Sequence, residues 1–236
     1  MNAGGAPTLV LVHGFAGTSR SWDAVRDHLP VGLPVVAPDV RGRDLATCTR
    51  ELLGAAGGRI VLAGYSMGGR LALHAALAAP ERLAHLVLIA TTAGIQDEVQ
   101  RAARRAADEE LAAWTEGATT EAFADRWMRV ELFAGTPSAA AQRWRDDLLR
   151  QEPHDLAAAL RGLGPGVLPP LWDRLPELDV PATVVVGERD ARYRDLGARL
   201  TAALPRAQLH VVPGAGHGLP REAPRELARL LAAAAG

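Results

Sequence analysis

The segment Gly64-Tyr65-Ser66-Met67-Gly68 constrains this chain more than any other. It is a G-x-S-x-G motif, preceded by the apolar run Arg59–Ala63 and followed by helical spacing from Met67 to Ala79. A serine at a sharp strand-to-helix turn is held in a strained backbone conformation above a sheet, and the flanking glycines let neighbouring segments pass close by. The same turn sets the hydroxyl at a helix N-terminus, where developing negative charge is stabilised. A chain built around this turn needs a buried strand before it and a helix after it, which points to an α/β architecture.

Further apolar runs at Leu9–His13, Val35–Asp39, Arg59–Tyr65, Leu83–Ala90, Ala182–Gly187 and Ala207–Val212 read as strands. Most are continuous rather than alternating, as in strands buried on both faces of a parallel sheet. Ser21–Leu29, Met67–Ala79, Asp195–Ala203 and Arg221–Ala234 carry helical spacing between them. The alternation predicts a mostly parallel, doubly wound sheet. It is interrupted once. From Gln96 to Trp172 no strand pattern occurs, Ala and Arg dominate, and four tryptophans are spread through the stretch. Gly162-Leu163-Gly164-Pro165-Gly166 and Pro169-Pro170 then punctuate the return to the sheet. The expected organisation is a core of residues 1–95 and 173–236 with a helical insertion, 96–172. That insertion is either a lid over the site or a purely structural subdomain.

A serine hydroxyl needs a base within hydrogen-bond reach to act at neutral pH. On this kind of elbow the partners follow in the chain order serine, acid, histidine. His217, in Pro213-Gly214-Ala215-Gly216-His217-Gly218, follows the last strand candidate, and its glycines suit a flexible loop. His210, inside that strand, is its rival. Asp190 in Gly187-Glu188-Arg189-Asp190 follows the preceding strand, where a carboxylate can orient the imidazole. Glu188 and Asp195 compete for that role. An oxyanion would need two backbone N–H groups. Met67 would supply one and Phe15, in His13-Gly14-Phe15-Ala16-Gly17, the other, with His13 bracing the loop.

Composition removes other classes. Lys+Arg 26 against Asp+Glu 27 gives a net charge of −1, without the basic excess of a nucleic-acid binder. The basic residues are all Arg, which suits carboxylate recognition. The single cysteine, Cys48, excludes an intrachain disulfide and a cysteine-rich metal site. No stretch reaches the roughly 18 uncharged apolar residues of a membrane span. Residues 1–7 lack the basic and apolar regions of a signal peptide. The expected setting is therefore the cytoplasm.

The three motifs in this order closely resemble the α/β-hydrolase superfamily, which implies the α/β-hydrolase fold and a Ser66–His217–Asp190 triad. Within it, Gly64-Tyr65-Ser66-Met67-Gly68-Gly69-Arg70-Leu71-Ala72 resembles the elbow of the menaquinone-pathway lyases, the 2-succinyl-6-hydroxy-2,4-cyclohexadiene-1-carboxylate (SHCHC) synthases. The likeness continues through Gly94-Ile95-Gln96, Ala102-Ala103-Arg104 with Asp108, Phe123-Ala124-Asp125-Arg126-Trp127, Leu132-Phe133-Ala134, Leu160-Arg161-Gly162-Leu163-Gly164 and Gly187–Tyr193. It implies that Arg70, Arg104 and Arg150 bind substrate carboxylates and that Tyr65, Gln96 and Trp127 line the same pocket. It also implies a small-molecule substrate bearing carboxylate, with no cofactor or metal. In that reading Ser66 is a base that triggers loss of pyruvate. A serine hydrolase working through an acyl-enzyme, and a non-catalytic binding protein, are the rival readings. The chain departs from the family at Pro220, where a second histidine is usual, at Ile89 for a glutamate, and at Ala93-Gly94 for a Pro–Gly pair. The segment after Asp39 is also much shorter than usual, which predicts a more open site on that side.

Overall fold

The computed structural model describes residues 6–40 and 44–236. Residues 41–43, in the short segment after Asp39, and residues 1–5, where the expectation about a leader falls, lie outside the described residues.

Six strands form one sheet: β1 (Thr8–Val12), β2 (Val35–Val36), β3 (Ile60–Tyr65), β4 (Leu83–Ile89), β5 (Ala182–Gly187) and β6 (Ala207–Val212). Their order is β2-β1-β3-β4-β5-β6 and every pairing is parallel. The chain steps outward from β1 to β2 and returns to place β3 on the other side of β1. That reversal opens a crevice beyond the carboxyl ends of β1 and β3, where ligands of open α/β sheets bind.

The sheet has a core on each face because neighbouring residues of a strand point to opposite sides. Val10, Val12 and Leu62 pack with Leu71, Leu88 and Leu200 on one face. Leu9, Leu11, Val61 and Ala63 pack with Trp22, Val25 and Leu227 on the other. The helices of the core are α1 (Asp23–Arg26), α2 (Leu45–Gly54), α3 (Met67–Ala78), α8 (Ala191–Ala203), α9 (Leu219–Glu222) and α10 (Pro224–Ala235). Between β4 and β5 lie only helices: α4 (Glu98–Glu116), α5 (Thr120–Trp127), α6 (Ser138–Leu148), α7 (Pro153–Leu163) and short 3-10 turns. The ends of this insertion meet where Leu171 N–H donates to Ala93 O at 2.7 Å and Trp172 Nε1 donates to Gly94 O at 2.9 Å.

Four elements differ from the sequence expectation. Strand β2 is two residues long instead of five, because it pairs only with β1 and runs into Pro38, which has no N–H for a ladder. The helix expected over Ser21–Leu29 is a 3-10 turn at Ser19–Trp22 and the single turn of α1. Helix α8 starts at Ala191, not Asp195, because the Asp190 carboxylate caps it by accepting from Tyr193 N–H at 3.2 Å. The C-terminal helix is split at Ala223 (φ −135°, ψ 53°), since a residue before proline is pushed out of the helical region. Helix α2 turns Cys48 and Leu52, with Leu45 and Leu53 beside them, onto the core and is anchored by an Asp44 cap on Thr47 N–H at 2.8 Å. Among the described residues no helix is long and apolar enough to cross a membrane.

Candidate active site

The turn from β3 into α3 puts Ser66 at φ +52°, ψ −109°. Holding a non-glycine residue there costs on the order of 1–3 kcal/mol, and the surroundings must enforce it. They do so by close packing. A Cβ on Gly64 would stand 2.3 Å from Gly68 O, and one on Gly68 would stand 2.3 Å from Val12 O. Ser66 N–H donates to Ile89 O at 2.9 Å, and the Thr91 hydroxyl donates to Ser66 O at 2.7 Å. These contacts clamp the elbow against the tips of β1 and β4.

Ser66 Oγ lies 3.2 Å from His217 Nε2, and His217 Nδ1 lies 2.7 Å from Asp190 Oδ2. With Nδ1 donating to the carboxylate, Nε2 is left as an acceptor for the serine O–H. Both His217 and Asp190 are buried, at 2% and 8% exposed, while Ser66 is half-buried. The competitors stand elsewhere. Glu188 accepts from Gly214 N–H at 2.8 Å, Asp195 is exposed on α8, and His210 is in the edge strand β6. Aromatic rings enclose the imidazole: Tyr193 at 4.5 Å, Tyr65 at 5.5 Å and Phe133 at 5.9 Å between centroids.

Phe15 and Met67 both border a pocket of about 70 Å³ that His13, Gly17, Arg150 and Leu156 help to line. Among the described residues neither the Phe15 nor the Met67 N–H has a hydrogen-bond partner; Met67, as the first residue of α3, has no intrahelical acceptor. His13 ties this loop down at both nitrogens: Nδ1 donates to Gly14 O at 2.8 Å and Nε2 accepts from Val40 N–H at 2.9 Å. Burial pushes the His13 pKa down, so the neutral ring needed for this pair of bonds is favoured.

The residues implied to hold substrate divide into groups. Tyr65 is buried against His217, and burial pushes its phenol pKa up. Arg70, one helical turn beyond Ser66, is 8% exposed and donates to Leu163 O at 3.3 Å. Its Nε is buried with no hydrogen-bond partner, and burial lowers its pKa to about 10 while Tyr193 and Asp108 partly offset this. Arg104 is paired through Nε with Asp108 Oδ1 at 2.8 Å and its charge reaches Arg70. Arg150 is exposed at the pocket beside Phe15 and Met67. Trp127 packs 5.0 Å from Phe15 and 5.8 Å from Phe133, with its indole N–H buried and unpartnered. Arg70 lines a cleft with Thr92, Gly94 and Leu168 and not the pocket that Arg150 lines, and Gln96 lies two residues beyond Gly94. It is exposed, and its side chain is held by Asp173 and Arg199.

The sequence motifs do not reveal one cluster beside this site. Asp147 of α6 accepts hydrogen bonds from Arg221 at 2.7 Å, from the Ser21 hydroxyl at 2.9 Å, and from the hydroxyl and N–H of Thr18. Asp147 and Arg221 are 4% and 5% exposed. They lie 74 residues apart in sequence, so no local spacing marks them.

This sheet, this elbow and this buried acid–imidazole–serine contact define a class. A model of the alpha/beta hydrolase family matches residues 9–230, and the chain belongs to that family, as an enzyme of lyase or hydrolase type. Within it the chain resembles one group in particular. The 2-succinyl-6-hydroxy-2,4-cyclohexadiene-1-carboxylate synthase of Salmonella paratyphi C is 33% identical, covering 93% of this chain and 90% of that protein. A Bacillus subtilis protein provisionally given the same name is 32% identical over 94% of this chain and 88% of its own length. Among solved structures, MenH from S. aureus superposes with a TM-score of 0.90 at 27% identity, covering 99% of this chain and 94% of that one. A thermophilic esterase from Thermogutta terrifontis, solved with malate bound, superposes at 0.83, also at 27% identity, over 97% and 89%.

Proposed function

We propose that this protein is a cytoplasmic SHCHC synthase-like lyase in which Ser66, activated by His217 and Asp190, removes a proton and releases pyruvate from a carboxylate-rich substrate. The observation that carries the substrate class is Arg70. A buried guanidinium one turn from the serine, with an unpartnered Nε, is a costly arrangement unless an anion completes it. The relatives named for this reaction support the same reading, since they align along nearly the whole chain.

In this mechanism the Ser66 O–H passes its proton to His217 Nε2 as the serine oxygen takes a proton from substrate carbon. Asp190 keeps the imidazole in the right tautomer and stabilises its charged form. The electron pair left on carbon moves onto a substrate oxygen facing the Phe15 and Met67 N–H groups. Its return expels the enolpyruvyl group, which takes up the proton held by His217 and tautomerises to pyruvate. Arg70, Arg104 and Arg150 hold the acid groups, and Tyr65 and Trp127 shape the pocket. Gln96 joins them only if its bonds to Asp173 and Arg199 are broken. The insertion is a lid: Phe133 packs on His217 and Trp127 on Phe15, so its withdrawal opens the site.

The esterase neighbour favours a second reading, hydrolysis of a small acid ester through an acyl group on Ser66. That neighbour was solved with malate bound. The discriminating experiment gives the enzyme the enolpyruvyl precursor SEPHCHC and, separately, a p-nitrophenyl ester. Pyruvate release without an acyl adduct supports the lyase. An acyl adduct on Ser66 and no pyruvate supports the hydrolase.

A further inference from the structure

The loop that carries His217 contains three glycines within Gly214–Gly218 and reads as flexible, yet it is held at several points. Gly214 N–H donates to Glu188 and Ala215 O accepts from Arg189 N–H at 2.9 Å. The tightest hold comes from a residue that the reaction itself does not require. Glu222, at the end of α9, accepts from Gly216 N–H at 2.7 Å through Oε2 and from Gly218 N–H at 3.0 Å through Oε1. The two donors flank His217 on either side. The Glu222 side chain is 3% exposed, and Arg189 balances its charge at 2.8 Å.

We propose that Glu222 is a positioning residue: its buried carboxylate bridges the N–H groups either side of His217 and fixes the imidazole between Asp190 and Ser66. This inference rests on the reading of Ser66 and His217 as the reacting pair. The local sequence is built for the bridge. A Cβ on Gly218 would stand 2.9 Å from Glu222 Oε1 and one on Gly216 would stand 3.1 Å from Oε2, so side chains there would crowd the carboxylate. Buried carboxylate-to-amide bonds are stronger than neutral ones, and both remaining partners would be left unsatisfied if it were removed. Arg189 extends the hold to the insertion, because its NH1 donates to Gly135 O at 2.9 Å. The histidine loop and the tip of the insertion thus share one ion pair.

The test uses two readouts on the full-length protein. Histidine-selective ¹⁵N labelling identifies the hydrogen-bonded Nδ1 proton of His217, assigned by its absence in His217→Asn. A fluorophosphonate probe reports how readily Ser66 is activated, without the natural substrate. Glu222→Ala should lose the exchange-protected Nδ1 signal and slow labelling about a hundredfold, the loss expected when a catalytic group drifts by about 1 Å. Glu222→Gln, which keeps one acceptor oxygen, should fall between the two. A Glu222→Ala protein with the wild-type signal and labelling rate overturns the proposal. So does one that is merely less heat-stable and keeps the signal. If Glu222→Ala does not fold, Glu222→Gln decides: reduced labelling with a shifted Nδ1 signal supports the proposal, and wild-type values overturn it. Failure of wild-type Ser66 to react at all would refute the reading of the reacting pair, and the Nδ1 signal would still decide the role of Glu222.

Discussion

Replacing Asp147 with leucine removes one carboxylate that accepts from Arg221, the Ser21 hydroxyl and both donors of Thr18. Arg221 cannot reach water in compensation: it is 5% exposed, with its guanidinium 4.9 Å from the Trp144 ring. Burial lowers its pKa, and the charge of Asp147 acts against that shift. Breaking a buried pair by removing one partner costs about 3–5 kcal/mol. Arg221 keeps the Ser21 hydroxyl at 2.9 Å, which places the loss near the lower end, about 3 kcal/mol. Replacing both charges by apolar residues of similar size leaves no orphaned ion. Asp147→Leu with Arg221→Met should therefore cost at least about 2 kcal/mol less than the sum of the single changes. Urea unfolding of the four proteins, with equal slopes, measures this directly. Single changes that each cost under about 1 kcal/mol, or that simply add, would refute the argument that this pair fastens α6 to the Thr18–Ser21 loop.

His74 on α3 has its pKa lowered to about 4, first by burial and then by the positive charges of Arg70 and Arg174. The folded protein then binds this proton less readily than the unfolded chain, whose histidine titrates near 6.5. Stability is therefore intact above 6.5 and falls as pH drops towards 4, by up to about 2 kcal/mol between pH 7 and 5. His13 and His85 are shifted the same way, so His74→Gln should reduce this slope without abolishing it, as read from urea midpoints at the two pH values. An unchanged slope would contradict the assignment. Arg70→Met keeps the side-chain stem but removes the fork; kcat/KM for pyruvate release should fall roughly ten- to hundredfold. Fluorophosphonate labelling of Ser66, which uses no carboxylate, should stay within about threefold of wild type. Equal loss in both assays would make Arg70 a packing residue.

The fold was legible wherever the pattern was local. Strands β5 and β6 match their expected limits: β5 is a continuous Val-rich run, and β6 alternates Gln208 and His210 with Leu209 and Val211. The elbow was legible because Gly64, Ser66 and Gly68 must occur together for the backbone to pass so close to β1. The acid was less so. Glu188, Asp190 and Asp195 all follow one strand, and only the cap on α8 and the reach of the histidine loop separate them. Side chains that act across the fold left no trace in spacing. Asp147 meets Arg221 only after the insertion folds back over the core, and Glu222 meets Arg189 only where the loops after β5 and β6 come together. Gln96 illustrates the converse: a local motif resembling the family's leads to an exposed amide whose partners are Asp173 and Arg199.

The central claim is that the Ser66 hydroxyl, made basic by His217, performs the chemistry. The rate of pyruvate release from SEPHCHC by wild-type protein and Ser66→Ala, measured side by side on folded samples, tests it most directly. General-base removal predicts a loss of about a thousandfold. A Ser66→Ala protein within tenfold of wild type would contradict the account.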